Sequence, residues 1–207
     1  MTSGLFISVE GIDGSGKSTQ ARRLRDWFAA QDRPCMLTRE PGGSPGAEDI
    51  RNLVLNGPPD RWSAQTEILL FTAARRDHLE RTINPALEAG KIVITDRFAD
   101  STRLYQGATR GDLRALVDDL HALMIGREPD LTLIFDMDPE TALRRGLARA
   151  DAEQRFEDFG ASFQETIRQG FLDLAEGSPD RCVTIDADGD EDTVFARVQA
   201  ALEDRNI

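Results

Sequence analysis

The apolar positions of this chain fall into short unbroken runs separated by longer stretches with helical spacing. Leu5 to Val9 is the first run, closed by Glu10; Cys35 to Thr38, Lys91 to Thr95, Leu131 to Phe135 and Cys182 to Ile185 are the others. Runs of this length between turn residues predict buried strands. Helices are predicted from Thr19 to Gln31, Ala47 to Leu55, about Ala64 to Leu87, Ala99 to Gln106, Leu113 to Ile125 and Asp190 to Leu202. Asn56-Gly57-Pro58-Pro59 stops the second of these, and Asp138-Pro139-Glu140 gives a cap and a first-turn proline for a further helix. Strands alternating with helices, without internal repeats or low-complexity tracts, predict one α/β domain over residues 1–207, a parallel sheet with helices on both faces. Ligands of such sheets sit beyond the carboxyl ends of the strands, where Gly11, Arg39, Asp96 and Asp136 stand.

The loop after the first strand reads Gly11-Ile12-Asp13-Gly14-Ser15-Gly16-Lys17-Ser18-Thr19. It fits G-x-x-x-x-G-K-[ST] in the context this motif needs, a strand before it and a helix after it. Its glycines let backbone N–H groups wrap around phosphate oxygens at a helix N-terminus. Lys17 would reach the β- and γ-phosphates, and the Ser18 hydroxyl would ligate Mg²⁺. The loop predicts binding of a nucleoside triphosphate.

Charge narrows the partners. The net charge is −12, which disfavours nucleic acid polymers and anionic membranes. No secretion signal or membrane-spanning run is visible, so the expected location is the cytoplasm. Cys35 and Cys182 open separate strands and read as buried, reduced thiols. Of 25 basic residues only Lys17 and Lys91 are lysines, so an N-K-x-D guanine element is absent, which excludes a GTPase switch. A small phosphorylated acceptor suits the arginines spread over several loops and flanking helices, Arg39, Arg51, Arg75 and Arg97.

Longer stretches are more specific. Thr38 to Gly43 (TREPGG), Leu69 to His78 (LLFTAARRDH), Thr95 to Gly107 (TDRFADSTRLYQG) and Pro129 to Arg145 resemble the thymidylate kinase family in order and spacing. The resemblance implies a P-loop nucleoside-monophosphate-kinase-like fold, transfer of a phosphoryl group from ATP to dTMP with Mg²⁺, and a homodimer. It places Phe71 against the thymine ring, with Arg75, Gln106 and Ser101 near the base. Arg51 and Arg97 would clamp the acceptor phosphate, and Tyr105 would lie against the sugar. Asp13 would hold the 3′-hydroxyl, and Glu40 would line the same site. Asp96 would hold Mg²⁺ through water or orient Arg97. On residue chemistry alone, Phe71 reads as core packing, Gln106 as a turn residue and Ser101 as a helix cap.

Some members of the family carry an arginine immediately after the loop carboxylate, where this chain has Gly14. The resemblance then implies that catalytic positive charge comes from a lid at about residues 146–158, through Arg149, Arg155 or both, joining Lys17 and Arg97, with Asp13 as the remaining catalytic residue. A kinase for another nucleotide or a deoxynucleoside, and a nucleotide-binding regulatory module, are the alternatives.

Overall fold

Five strands form the sheet that the apolar runs predict: β1 (Phe6–Gly11), β2 (Cys35–Arg39), β3 (Ile92–Asp96), β4 (Leu131–Asp136) and β5 (Cys182–Asp186). The computed structural model describes residues 4–58, 61–108, 111–147 and 160–207. All strands are parallel, in the order β2-β3-β1-β4-β5. The chain leaves β1 toward β2 and β3 on one side and later places β4 on the other, so the strand order reverses beside β1. A crevice opens at the carboxyl ends of the strands there, where ligands of such sheets bind.

The helices are α1 (Lys17–Ala29), α2 (Pro45–Leu55), α3 (Ala64–His78), α4 (Asn84–Glu88), α5 (Ala99–Thr102), α6 (Arg114–Met124), α7 (Pro139–Leu147), α8 (Gly160–Gly177) and α9 (Glu191–Asp204). The stretch predicted as one helix from Ala64 to Leu87 is continuous but carries a π-helical turn at Leu79–Ile83. The predicted helix from Ala99 to Gln106 likewise passes into a π-helical turn at Arg103–Ala108. Such turns occur as single-turn insertions inside otherwise α-helical segments, so each stretch still reads as one helix.

β1 is buried along its whole length, including the polar Ser8 and Glu10. Strand alternation sends Phe6, Ser8 and Glu10 to one face and Ile7 and Val9 to the other. On the first face, Phe6 meets the Phe98 ring edge-on at 5.0 Å, and the Ser8 hydroxyl pairs with that of Thr132 at 2.8 Å. In α1 the buried Ala21, Leu24 and Phe28 recur at helical spacing and join the core with Ile7 and Val9. No helix among the described residues is long and apolar enough to cross a membrane.

Candidate active site

The phosphate loop closes on itself. Gly16 takes a φ of 85° to start α1, and Lys17 folds back so that Nζ donates to the Ile12 carbonyl at 3.2 Å and to Asp13 Oδ1 at 3.4 Å. Burial, and then the neighbouring Arg97, lower the Lys17 pKa, while Asp13 and Asp96 oppose the shift. Ser15 Oγ is buried with no hydrogen-bond partner among the described residues. The Ser18 hydroxyl donates to Asp96 Oδ2. That contact follows from the register, because Val9 lies opposite Asp96 and the end of β3 therefore abuts the loop.

Arg97 follows Asp96 with a φ of 71°, a left-handed conformation that an arginine adopts only under constraint. The guanidinium lies over the Tyr105 ring at 5.0 Å. Nη1 donates to Ser101 Oγ at 2.8 Å and to the Gly11 carbonyl at 3.3 Å. Nη2 donates to Asp13 and, at 3.4 Å, to the Tyr105 hydroxyl. Burial alone would raise the Asp13 pKa, but Arg97 and Lys17 outweigh it and hold the carboxyl at about 2. Burial pushes the Tyr105 phenol up, so it stays protonated.

At the other end of the cleft, Phe71 and Arg75 lie one helical turn apart on α3. Arg75 is buried; Nε donates to Glu40 Oε2 at 2.7 Å, Nη2 donates to Thr102 Oγ1 at 3.0 Å, and the guanidinium sits 5.1 Å over the Phe98 ring. Glu40 also meets His78 Nδ1 at 3.2 Å, and His78 Nε2 meets the Thr38 hydroxyl at 2.7 Å. Gln106 is buried in the second π-helical turn, and its Nε2 has no partner among the described residues. An unpaired buried amide donor is costly in a closed protein and useful where a ligand carbonyl is to be met.

Most of these groups line one cleft of about 830 Å³, a size suited to a nucleotide, with His78 behind Glu40 and outside the lining. Of the residues expected at the acceptor and metal sites, Asp13, Ser18, Glu40, Arg51, Phe71, Arg75, Asp96, Arg97, Ser101, Tyr105 and Gln106 all reach it, with Gly14 and Lys17 from the phosphate loop. Arg51 donates to the Pro41 carbonyl at its rim. The Ser101 hydroxyl donates to Glu10 and accepts from Arg97. Four supporting residues were missed by sequence reasoning: Glu10, His78, Phe98 and Thr102. Only Glu10 left a signal, a charge ending an otherwise apolar strand.

A family model described as thymidylate kinase matches residues 9–198. The thymidylate kinase of Dinoroseobacter shibae is 69% identical over 199 residues, 96% of each chain. That of Caulobacter vibrioides is 52% identical over 206 residues, 99% of each chain. The chain belongs to the thymidylate kinase family. A crystal structure of thymidylate kinase from Ehrlichia chaffeensis matches the fold with a TM-score of 0.78 at 36% identity, covering 98% of this chain and 99% of that one.

Within this thymidylate kinase fold, Gly14 has a physical reason to lack a side chain. Its φ is 87°, and a Cβ there would stand 2.0 Å from the Ala142 carbonyl oxygen. An arginine at this position would require α7 to move away from the loop. Arg149 and Arg155, expected to supply the charge instead, lie outside the described residues.

Proposed function

We propose that this chain transfers the γ-phosphoryl group of ATP to dTMP, giving ADP and dTDP. Family membership supports the reaction. The observation that carries the acceptor assignment is the seating of Phe71, Arg75 and the unpaired Gln106 amide in the same cleft as Lys17 and Ser18, with Arg97 held beside Asp13. An amide offers both the donor and the acceptor that a thymine edge requires.

The acceptor phosphate replaces Asp13 as the anionic partner of Arg97. Asp13, kept ionised by its neighbours, is then available to accept from the 3′-hydroxyl. A phosphate oxygen of dTMP forms the new bond to the γ-phosphorus as its bond to the β-phosphate oxygen breaks, and the electron pair leaves with ADP. No side chain need form a covalent bond; the protein aligns the two phosphates and neutralises charge through Lys17 and arginines. We assign Arg149 and Arg155 to that second task. Tyr105, held under the Arg97 guanidinium, faces the sugar and crowds a ribose 2′-hydroxyl.

Mg²⁺ fits the pair of oxygens that Ser18 and Asp96 already bring into contact, since the ion binds through few protein oxygens and completes its shell with water and phosphate. It would neutralise charge on the β- and γ-phosphates. The homodimer implied by the resemblance has support in Leu69, Leu123 and Met124, exposed apolar side chains on the packed helices α3 and α6.

The test is an acceptor screen that follows ADP release with dTMP, dUMP, UMP, AMP and thymidine. dTMP is expected to give the highest kcat/KM, and preference for a purine or for thymidine itself would overturn the reading.

A further inference from the structure

Glu10 is the one charged residue within β1, and it is fully buried. Burying a carboxylate there costs free energy that an apolar side chain, such as Phe6 on the same face, avoids. What it does in return is specific. Oε1 accepts from the Phe98 N–H at 2.8 Å and, more weakly, from the Ser101 N–H at 3.4 Å. Oε2 accepts from the Ser101 hydroxyl at 2.6 Å, and that hydroxyl accepts in turn from Arg97 Nη1 at 2.8 Å.

One carboxylate therefore grips the chain on the far side of the left-handed residue, at Phe98 and Ser101, while the Arg97 N–H is tied to the Val9 carbonyl at 3.0 Å. Both anchors, the Val9 carbonyl and the Glu10 side chain, come from β1 and enclose the strained residue that follows β3. With the backbone so held, and the Ser101 oxygen turned toward Nη1, the guanidinium faces Asp13 and the cleft.

We propose that Glu10 is a positioning residue for phosphoryl transfer: through Ser101 and the Arg97–Phe98 turn, its carboxylate aims the Arg97 guanidinium at the acceptor phosphate. The proposal rests on the functional reading above, in which Arg97 meets that phosphate. Among the described residues, the titratable and charged groups whose fields couple to Glu10 are Asp100, Arg97, Tyr105 and Cys182. Burial and the Asp100 charge raise the Glu10 pKa to about 7 against the pull of Arg97, while Asp100 is itself engaged by Arg103 and Arg181.

Glu10→Gln tests the link because it keeps the shape and reverses the polarity of one atom. The amide oxygen still accepts from Phe98, but the amide nitrogen presents a second donor to a Ser101 oxygen already accepting from Arg97. Glu10→Gln should remain folded, since it removes a buried charge. Its kcat/KM for dTMP should fall roughly tenfold or more, with KM for ATP within about twofold of wild type. Glu10→Asp keeps the charge but is too short to grip both Phe98 and Ser101, and should show the same dTMP-selective loss even if Glu10→Gln proves unstable. A smaller fall for dTMP in the folded variant, or equal losses for both substrates, overturns the proposal. The wild-type acceptor screen run beside it separates the two readings. If wild type prefers another monophosphate, the functional reading fails and Glu10→Gln is scored with that acceptor instead.

Discussion

Arg97 and Arg103 stand six residues apart, both largely buried, and their surroundings differ in a way that separates function from architecture. Arg103 is saturated with fixed anions from three parts of the chain: Nε donates to Asp118 at 2.8 Å, Nη1 to Asp100 at 2.6 Å, and Nη2 to Glu128. Arg97 bonds directly to one carboxylate among the described residues, Asp13, and its other acceptors are the neutral Ser101, Gly11 and Tyr105 oxygens. Burial is therefore a poor guide to role in this molecule. The charge on the partners is a better one, because a guanidinium already ringed by carboxylates has little left to offer a phosphate, whereas one held mostly by neutral oxygens keeps its field for the ligand.

The contrast extends to Lys17, which shares Asp13 with Arg97. Its point charge acts as the phosphoryl group moves, so Lys17→Ala should lower turnover by about 10³ with the fold intact. Steady-state kinetics beside a thermal melt checks this, and normal turnover in folded protein would remove the ATP site from this loop. Arg97→Ala should lower kcat/KM for dTMP by about 10²–10³, with ATP affinity nearly unchanged. If calorimetry finds that ATP affinity collapses while dTMP affinity survives, Arg97 serves the donor side and the comparison has been drawn backwards.

Arg149 and Arg155, proposed as further sources of positive charge, extend the contrast. An arginine supplied to a transferring phosphoryl group is typically worth about 10³–10⁵ in turnover, and with two sharing the task a loss of roughly 100-fold is expected from Arg149→Ala, Arg155→Ala or the double variant, the larger from Arg155. Near-normal turnover in the double variant would leave Lys17 and Arg97 as sufficient. Introducing arginine at Gly14 should fail to rescue that variant, given the Ala142 carbonyl oxygen in the path of any side chain.

How much of this was readable beforehand depended on whether a feature is local. The phosphate loop is nine consecutive residues whose strand-before, helix-after context is itself sequential, and the strand cores showed as apolar runs because parallel strands are buried on both faces. Phe71, Arg75 and Gln106 became legible through longer stretches that resemble a family, not through their own chemistry, which for Phe71 and Gln106 points to core and turn. Thr102 and His78 gave no signal at all. Their importance lies in gripping Arg75 and Glu40 across 27 and 38 positions of sequence, contacts that exist only once α3, α5 and the loop after β2 have packed. Glu10 was visible as a charge ending an apolar run, yet its partners lie 88 and 91 residues away.

Arg103 should answer to stability where Arg97 answers to catalysis. Arg103→Ala leaves the buried Asp100 with Arg181 as its remaining cation and takes one partner from Asp118 and Glu128, which keep Arg114 and His121, so a loss of about 3 kcal/mol in unfolding free energy is expected. Turnover per folded molecule should stay within roughly threefold of wild type. Urea unfolding and kinetics on the same preparation decide the matter; a large fall in turnover at unchanged stability would put Arg103 in the functional class and dissolve the distinction.

The smallest effect concerns the two carboxylates that bracket Arg97, which are shifted in opposite directions. Asp13 is lowered from 3.8 to about 2, so its contribution to stability is present above pH 3.8 and is lost only as pH falls through about 2. Glu10 is raised from 4.5 to about 7, so the native state binds a proton there more tightly than the unfolded chain does. The stability linked to that proton is fully present below pH 4.5 and disappears as pH rises through about 7. Between pH 8 and pH 5 the two do not cancel, because Asp13 stays ionised in both states throughout that window. Urea unfolding of wild type should therefore show a gain of about 2–3 kcal/mol from this group on going from pH 8 to pH 5. Glu10→Gln, with nothing to titrate at that position, should lack that gain, and the comparison between the two chains cancels every other group that titrates over the same range. Parallel stability curves for wild type and Glu10→Gln would mean that Glu10 is ionised throughout, with Arg97 prevailing over burial and Asp100.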